Sequence, residues 1–138
     1  MRLFLDNNVI MDLFDPDRPC HKDSRTLIVA GHAKDVVLVV ASISVLNTIY
    51  SVVKWGYDRS KLLVEMQSLL SFTEVAPVTK QELIAGITSG WSDVEDAVQF
   101  HSALTAGNID AIVSNDKDFK QQKLVAVITP AQAAKRVK

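Results

Sequence analysis

Apolar residues fall into two patterns along the chain: short, nearly unbroken runs and longer segments with helical spacing. The runs are typical of strands buried on both faces of a parallel sheet. The longer segments have the spacing of helices that pack an apolar face on a core. Because parallel strands need long crossovers, the alternation predicts a three-layer α/β/α fold with a mostly parallel five-stranded sheet. The predicted strands are 2–5, 36–41, 72–78, 109–113 and 124–128.

Capping residues mark where several of the predicted helices begin. Ser92 and Glu95 have the S-x-x-E spacing of a capping box, which predicts a helix that starts at Asp93. Thr79 and Glu82 have the same spacing and predict a second box one helix earlier. Other helices are predicted to be capped by Asp58, by Ser42 or Ser44, and by Thr129 with Pro130 at the first helical position.

Length and composition limit the class of protein. A chain of 138 residues is expected to form a single domain, 1–138. No apolar run approaches the roughly 20 residues that span a bilayer, and Asp6 comes too early for a signal peptide. The single cysteine, Cys20, excludes a disulfide framework and a thiolate metal site. We therefore expect a cytoplasmic protein with no membrane association.

Aspartates occur at three points that the predicted fold brings to one edge of the sheet. Asp6 ends the first strand, whereas Asp116 and Asp118 follow the fourth. Asp93 and Asp96 lie in the first turn of the buried helix before that strand. Each group alone is usually structural, because such residues complement a helix dipole or form turns. Ligands of parallel sheets bind beyond the carboxyl ends of the strands, so Asp6, Asp96 and Asp116 are predicted to converge there.

Convergent aspartates predict a metal site. Carboxylates a few ångströms apart raise one another's pKa and cannot all stay ionised without a cation. Mg²⁺ and Mn²⁺ prefer carboxylate oxygens and leave room for water and a substrate phosphate. Ions of this kind activate water and stabilise a leaving oxygen, so the chemistry implied is phosphodiester hydrolysis.

Three segments resemble a known family. FLDNNVIMDLF, SDVEDAVQFHSALTAGNIDAIVSNDKDF and LVAVITPAQ are similar to the PIN domain, the fold of many bacterial toxin ribonucleases of the VapC type. The resemblance implies a metal-dependent endoribonuclease that acts on RNA as the toxin of a toxin–antitoxin pair. Its inhibitor is then a small antitoxin protein whose tail enters the acidic groove.

The resemblance also implies which residues form the site. Asp6 and Asp96 match the family's first acid and the acid on the helix before the fourth strand. Asp116 and Asp118 compete for the last acidic position, and Asp116 is favoured because it lies nearer the strand end. Asp93 and Asp118 complete the predicted set of metal ligands.

One position departs from the family pattern. PIN nucleases commonly carry a glutamate on the helix after the second strand, where this chain has Asn47. An asparagine can coordinate through its carbonyl oxygen but brings no charge, so metal affinity is expected to be lower. Asp93 can supply the missing carboxylate, since residues three apart share a helix face. Asn8 and Asn47 are predicted as auxiliary site residues.

Two basic residues are predicted to contact RNA. Lys117 follows Asp116 directly, and Lys54 lies in a basic cluster with Arg59 and Lys61. Such residues bind phosphates, although most surface charges are only solvated. The apolar helices around Tyr50 and Leu63 predict a homodimer, but they fit a core equally well.

Two other functions compete with the nuclease. A catalytically weak binding module of the same fold is favoured by Asn47. A phosphatase of the haloacid-dehalogenase type would use an aspartate after the first strand as its nucleophile. That mechanism needs a second aspartate two residues later, where the chain has Asn8.

Overall fold

The computed structural model describes residues 1–138 and follows the predicted alternation of strands and helices. The strands are β1 (Arg2–Leu5), β2 (Val37–Ala41), β3 (Glu74–Ala76), β4 (Ala111–Val113) and β5 (Val127–Ile128). The helices are α1 (Asn7–Met11), α2 (His21–His32), α3 (Ser42–Lys54), α4 (Arg59–Leu70), α5 (Lys80–Ile87), α6 (Val94–Ala106) and α7 (Pro130–Val137). Two 3₁₀ turns occupy Asp12–Phe14 and Lys117–Gln121.

The five strands form one sheet in the order β3-β2-β1-β4-β5, and every neighbouring pair is parallel. The central strand, β1, pairs with β2 on one side and with β4 on the other. The carboxyl ends of all five strands therefore meet at one edge. The predicted α/β fold with a five-stranded sheet is confirmed, and the sheet is parallel throughout.

Two apolar cores cover the two faces of the sheet. Leu3 and Leu5 point into the larger core, which also takes residues from α1, α2, α3, α4 and α7. Phe4 points the other way, into a smaller core with Phe100 of α6 and Phe119. The side chains of each strand alternate between the two faces of the sheet, because successive side chains of a strand point in opposite directions. The sheet is thus the middle of three layers.

The predicted caps differ in outcome. The capping boxes at Thr79 and Thr129 are both present. The box predicted for Ser92 and Glu95 is wrong, because the cap of α6 is Asp93 and the helix begins one residue later. The Asp93 carboxylate accepts the Asp96 N–H at 3.1 Å, which satisfies one free amide of the first turn.

The edge strands are shorter than predicted. β3 ends at Ala76 because Pro77 has no N–H to continue the ladder. β5 begins only at Val127, and Leu124, which the prediction placed in the strand, is 77% exposed. Each of these strands pairs with a single neighbour, so fewer hydrogen bonds extend it. None of the helices has both the length and the apolar character that crossing a bilayer requires.

Candidate active site

Asp6 lies at the carboxyl end of β1, inside the protein. Its N–H donates to the carbonyl of Val113 at 3.1 Å, which extends the pairing of β1 with β4 by one residue. The side chain is buried, and both oxygens accept hydrogen bonds. Oδ2 accepts from the Ser114 hydroxyl at 2.7 Å, and Oδ1 accepts from Nε2 of Gln99 at 3.3 Å. The carboxylate is therefore held in one orientation.

Gln99 is itself oriented by two donors. Its Oε1 accepts from the backbone N–H of Asn7 at 3.0 Å and from the Ser44 hydroxyl at 3.2 Å. With the oxygen engaged by two donors, the amide nitrogen of Gln99 is directed at Asp6. Helices α1, α3 and α6 are joined in this way behind the carboxylate.

Burial raises the pKa of Asp6 to about 6, because the charged form loses its hydration. The hydrogen bonds from Ser114 and Gln99 lower the pKa and offset part of that rise, whereas the nearby Asp116 charge adds to it. Near neutral pH, Asp6 is thus mostly ionised in a place that disfavours its charge.

Four more aspartates form a cluster at the start of α6 and after β4. One carboxylate oxygen from each residue lies within 4.8 Å of the others. The cluster consists of Asp93, Asp96, Asp116 and Asp118.

The turn after β4 is shaped by its own polar groups. The Asp116 N–H donates to the Ser114 hydroxyl oxygen at 2.8 Å, and the Asp118 N–H donates to Oδ1 of Asp116 at 2.9 Å. Ser114 therefore connects Asp6 with the backbone of Asp116. This connection fixes the spacing between the buried acid and the cluster.

Asp96 is the least compensated of these acids. It is buried, and its Oδ2 has no hydrogen-bond partner. Burial raises the pKa of Asp96 well above its ordinary value, and contact with Asp116 and the charges of Asp6 and Asp93 raise it further. An unpartnered, buried carboxylate oxygen among other acids is costly unless a cation compensates it.

The cluster fits a hard divalent cation. Its donors are carboxylate oxygens, the ligands that Mg²⁺ and Mn²⁺ prefer. A cation among them would compensate the charge of the buried Asp96 carboxylate and offset both the burial and the repulsion that raise the pKa of that residue. Asp93, Asp96, Asp116 and Asp118 could hold such an ion, with Asp6 next to them.

The structure brings the predicted acids into one region, with one distinction. Asp96 and Asp116 share the cluster, and both candidates for the last acidic position, Asp116 and Asp118, belong to it. Asp6 stands just outside the group of four and is linked to it through Ser114. Asp93 caps α6 and still belongs to the cluster.

The predicted auxiliary and basic residues are not members of the acidic cluster. Asn8 is exposed and lines a cleft together with Asp116. Asn47 is half-buried on α3 and makes no side-chain hydrogen bond. Lys117 is exposed beside Asp116, whereas the Lys54 amine lies 5.8 Å from the ring centre of Tyr50.

Several polar residues of this region were missed by the sequence reasoning. Gln99 and Ser114 are buried polar residues within apolar segments of the sequence. A polar residue in an apolar segment is a pattern that could have indicated a role in the site. Asp12 is a similar case, because it is buried within the apolar run after β1. No sequence pattern marks Arg18 as a site residue, since it lies in a proline-containing loop whose position depends on the fold.

Comparison with known proteins gives a matching family model, a relative in sequence and two similar crystal structures. A family model described as PIN domain matches residues 2–118. The ribonuclease VapC1 of Aquifex aeolicus (strain VF5) is 30% identical over 133 residues, which cover 93% of this chain and 90% of the relative. Two crystal structures also share the fold.

The first is VapBC2 from Rickettsia felis bound to a DNA fragment from their promoter. It has a TM-score of 0.66 and 14% identity, over 94% of this chain and 98% of that one. The second is Mycobacterium tuberculosis VapC20, a toxin that cleaves the sarcin–ricin loop. It has a TM-score of 0.67 and 16% identity, over 86% of this chain and 93% of that one.

The chain belongs to the PIN domain family. Within the family it is similar to the VapC ribonucleases, so the predicted class, a VapC-like toxin ribonuclease, is confirmed. Ribonucleases with this domain generally depend on a divalent metal. The acidic cluster is the part of the chain that offers ligands for one.

Proposed function

We propose that this protein hydrolyses RNA phosphodiesters with Mg²⁺ or Mn²⁺ bound by Asp6, Asp96 and Asp116, and that Asp93 and Asp118 complete the ligand set. The observation that carries the proposal is that Asp96, whose buried Oδ2 has no hydrogen-bond partner, lies in a cluster with three other aspartates. A divalent cation would stabilise the ionised form of this cluster. We further propose that residues 1–138 form one PIN-like domain.

Each acid has a separate task in this scheme. A bound divalent ion would act as a Lewis acid toward the phosphate and the attacking water. Asp96 and Asp116 would hold the ion from two different segments, α6 and the turn after β4. Asp6 is held by Ser114 and Gln99 at one oxygen each, and each oxygen keeps a further lone pair for an ion or a water.

Asn47 lowers the expected metal affinity without removing the site. The four clustered acids already provide the charge that a glutamate at position 47 would add. Asn47 and Asn8 are proposed as auxiliary groups that bind water or substrate at the margin of the site. Lys117, which follows Asp116, and the more distant Lys54 are proposed to contact RNA phosphates.

Metal-dependent cleavage of single-stranded RNA is the direct test. The wild-type protein is incubated with labelled RNA in Mg²⁺, in Mn²⁺ or in EDTA, beside an Asp6→Asn variant. Glu95→Gln is the matched control, because Glu95 lies in the same helical turn as Asp96 but is exposed and outside the cluster. We expect cleavage with either metal, none in EDTA, and loss in Asp6→Asn but not in Glu95→Gln.

The contrary result identifies the competing function. RNA binding without cleavage in either metal would contradict the nuclease and support a binding module. Cleavage in EDTA, or unchanged cleavage in Asp6→Asn, would also contradict the metal-dependent mechanism. Nuclease contamination is excluded if the Asp6→Asn preparation, purified in parallel, is inactive.

The biological setting proposed is that of a toxin in the cytoplasm. The relative from Rickettsia felis was solved as a VapBC2 complex, and by analogy a small antitoxin protein is proposed to bind here at the acidic cluster. Co-expression with a small protein encoded beside this one should yield a stable complex that lacks RNA cleavage. A free, active toxin in that co-expression would contradict this part of the proposal.

A homodimer is proposed through the outer faces of α3 and α4. Leu46 and Tyr50 are about 70% exposed one turn apart on α3, and Val64 is similarly exposed on α4. These side chains are therefore not part of the core, which favours an interface. Light scattering should give the mass of two chains for the wild type and of one chain for Leu46→Lys with Tyr50→Lys.

A further inference from the structure

The cleft beside the acidic cluster has a single basic residue in its wall. The cleft has a volume of about 520 Å³ and reaches from Asp116 and Asn8 to the loop before α2. Arg18 contributes from that loop, and Asp12 lies next to it. The size falls within the range of ligand-binding pockets, so a nucleotide unit fits.

The Arg18 side chain is held by two contacts that leave its terminal nitrogens free. Nε donates to Oδ1 of Asp12 at 2.7 Å, and the guanidinium lies 5.4 Å from the ring centre of Trp55. Neither Nη atom makes a hydrogen bond within the protein. The donors best suited to a phosphate are thus unoccupied on a side chain that is already oriented.

Asp12 is better explained as the support of Arg18 than as a metal ligand. It is buried, and its other oxygen accepts from the Ser24 hydroxyl at 3.0 Å. Both of its oxygens therefore have partners within the protein. An aspartate in the core that pairs with an arginine at the surface fixes the direction of the guanidinium.

The negative charge of the cleft makes Arg18 important for the binding of a polyanion such as RNA. The chain has a net charge of −1, and the cleft already contains two acids, Asp12 and Asp116. An RNA strand approaching the cluster is repelled unless a cation faces it. Arg18 is the only positively charged side chain that lines the cleft.

We propose that Arg18 binds a backbone phosphate of the RNA substrate next to the one that is cleaved, with Asp12 and Trp55 as its positioning residues. This inference rests on the proposed function, because it assumes that RNA occupies the cleft. It adds a substrate contact that lies on a different segment from the acids. Phosphate contacts of this kind set the register of a strand and carry no sequence preference.

The test measures binding separately from cleavage. An Asp96→Asn background prevents cleavage, and anisotropy of a fluorescein-labelled single-stranded RNA gives the dissociation constant at several salt concentrations. Arg18 is replaced together with its partner, as Asp12→Asn with Arg18→Gln, so that no unpaired carboxylate stays buried. Arg18→Lys keeps the charge but lacks the planar guanidinium group. Arg25→Gln, an exposed arginine on α2 that lines another cavity, is the matched control.

We expect the double variant to bind RNA roughly tenfold to a hundredfold more weakly, the value of a charge-assisted hydrogen bond. The slope of log affinity against log salt should fall by about 0.7, the value for one phosphate on a single strand. Arg18→Lys should lie between the double variant and the parent, and Arg25→Gln should match the parent.

The inference is overturned if the folded double variant binds RNA as the parent does, with the same salt slope. It is also overturned if Arg25→Gln loses as much affinity, because the loss is then not specific to the cleft. If wild-type protein cleaves RNA and Arg18 has no effect, only this inference fails. If the Arg18-dependent binding is found but no metal supports cleavage, only the proposed activity fails.

Discussion

Glu82 and Asp96 occupy equivalent positions and have opposite surroundings. Each is the third residue of its helix, α5 for Glu82 and α6 for Asp96, and the two helices pack against each other. Both side chains are almost fully buried, at 2% and 5% exposure. Position and burial therefore do not distinguish them.

The hydrogen bonds do distinguish them. Oε1 of Glu82 accepts from the N–H and the hydroxyl of Thr79 at 2.7 Å each, and Oε2 accepts from Thr105. These bonds, those from Thr79 above all, lower the pKa of Glu82. Asp96 has an unpartnered oxygen, and its pKa is raised. A buried acid whose oxygens are satisfied supports the fold, whereas an unsatisfied one marks a binding site.

The largest expected effect is on catalysis. Asp96→Asn should lower RNA cleavage in Mn²⁺ by more than about a hundredfold, since it removes a charged ligand rather than an outer partner. Glu82→Gln should keep cleavage near the wild-type rate and lower the melting temperature by a few degrees, because it weakens the cap of α5. Gel assays and thermal melts of both variants measure this contrast. Equal losses of cleavage in the two variants would contradict the distinction between Asp96 as a site residue and Glu82 as a structural one.

The second effect is on stability without metal. Between pH 3.8 and about 6 the folded state holds a proton on Asp6 that the unfolded chain has released. The contribution of Asp6 to the free energy of unfolding must then fall as pH rises through this window, by about 3 kcal/mol. The raised pKa of Asp96 extends the fall to higher pH.

Denaturation in EDTA at pH 5 and pH 7.5 measures the part of this dependence that lies above pH 5. Asp6→Asn should make it shallower, because one of the two groups that bind an extra proton is gone and Asp96 remains. Glu82→Gln should leave the contribution of Asp6 unchanged. The assignment of the extra proton to Asp6 would be contradicted if the wild type lost no more stability between pH 5 and pH 7.5 than Asp6→Asn does.

A smaller effect is expected at Ser114, which positions two acids without belonging to the cluster. Ser114→Ala removes the hydrogen bond to Asp6 and the acceptor for the Asp116 N–H. Loss of such an outer partner typically weakens metal affinity by about 10-fold to 100-fold. Titration with Mn²⁺ should show this loss, and Ser114→Thr should restore most of the affinity. A purely structural role would lower the melting temperature and leave the affinity unchanged.

The smallest effect separates the two roles of Asp93. Asp93→Ser keeps an oxygen that can cap α6 but removes a charge from the cluster. We expect stability close to that of the wild type and a several-fold weaker affinity for Mn²⁺. Asp93→Ala should lose about 1 kcal/mol of stability as well. Unchanged affinity in both variants would make Asp93 a cap only.

The sequence predicted the fold and the acids better than their environment. Buried strands and their order in the chain follow from the apolar runs, and Asp6 and Asp116 follow from the strand ends. The supporting residues could not be predicted, because Gln99 reaches Asp6 across 93 positions of the chain and Arg18 reaches the cleft from a loop. The cap at Asp93 was not predicted, because Ser92 and Glu95 match the spacing of a capping box and placed the cap one residue too early.

The direct test of the central claim is the change in melting temperature when Mn²⁺ is added to metal-free protein. A ligand that binds only the folded state raises this temperature. Wild type and Glu82→Gln should show equal rises, and Asp96→Asn should show almost none. An equal rise in Asp96→Asn would contradict the claim that the unsatisfied acid of α6 holds the metal.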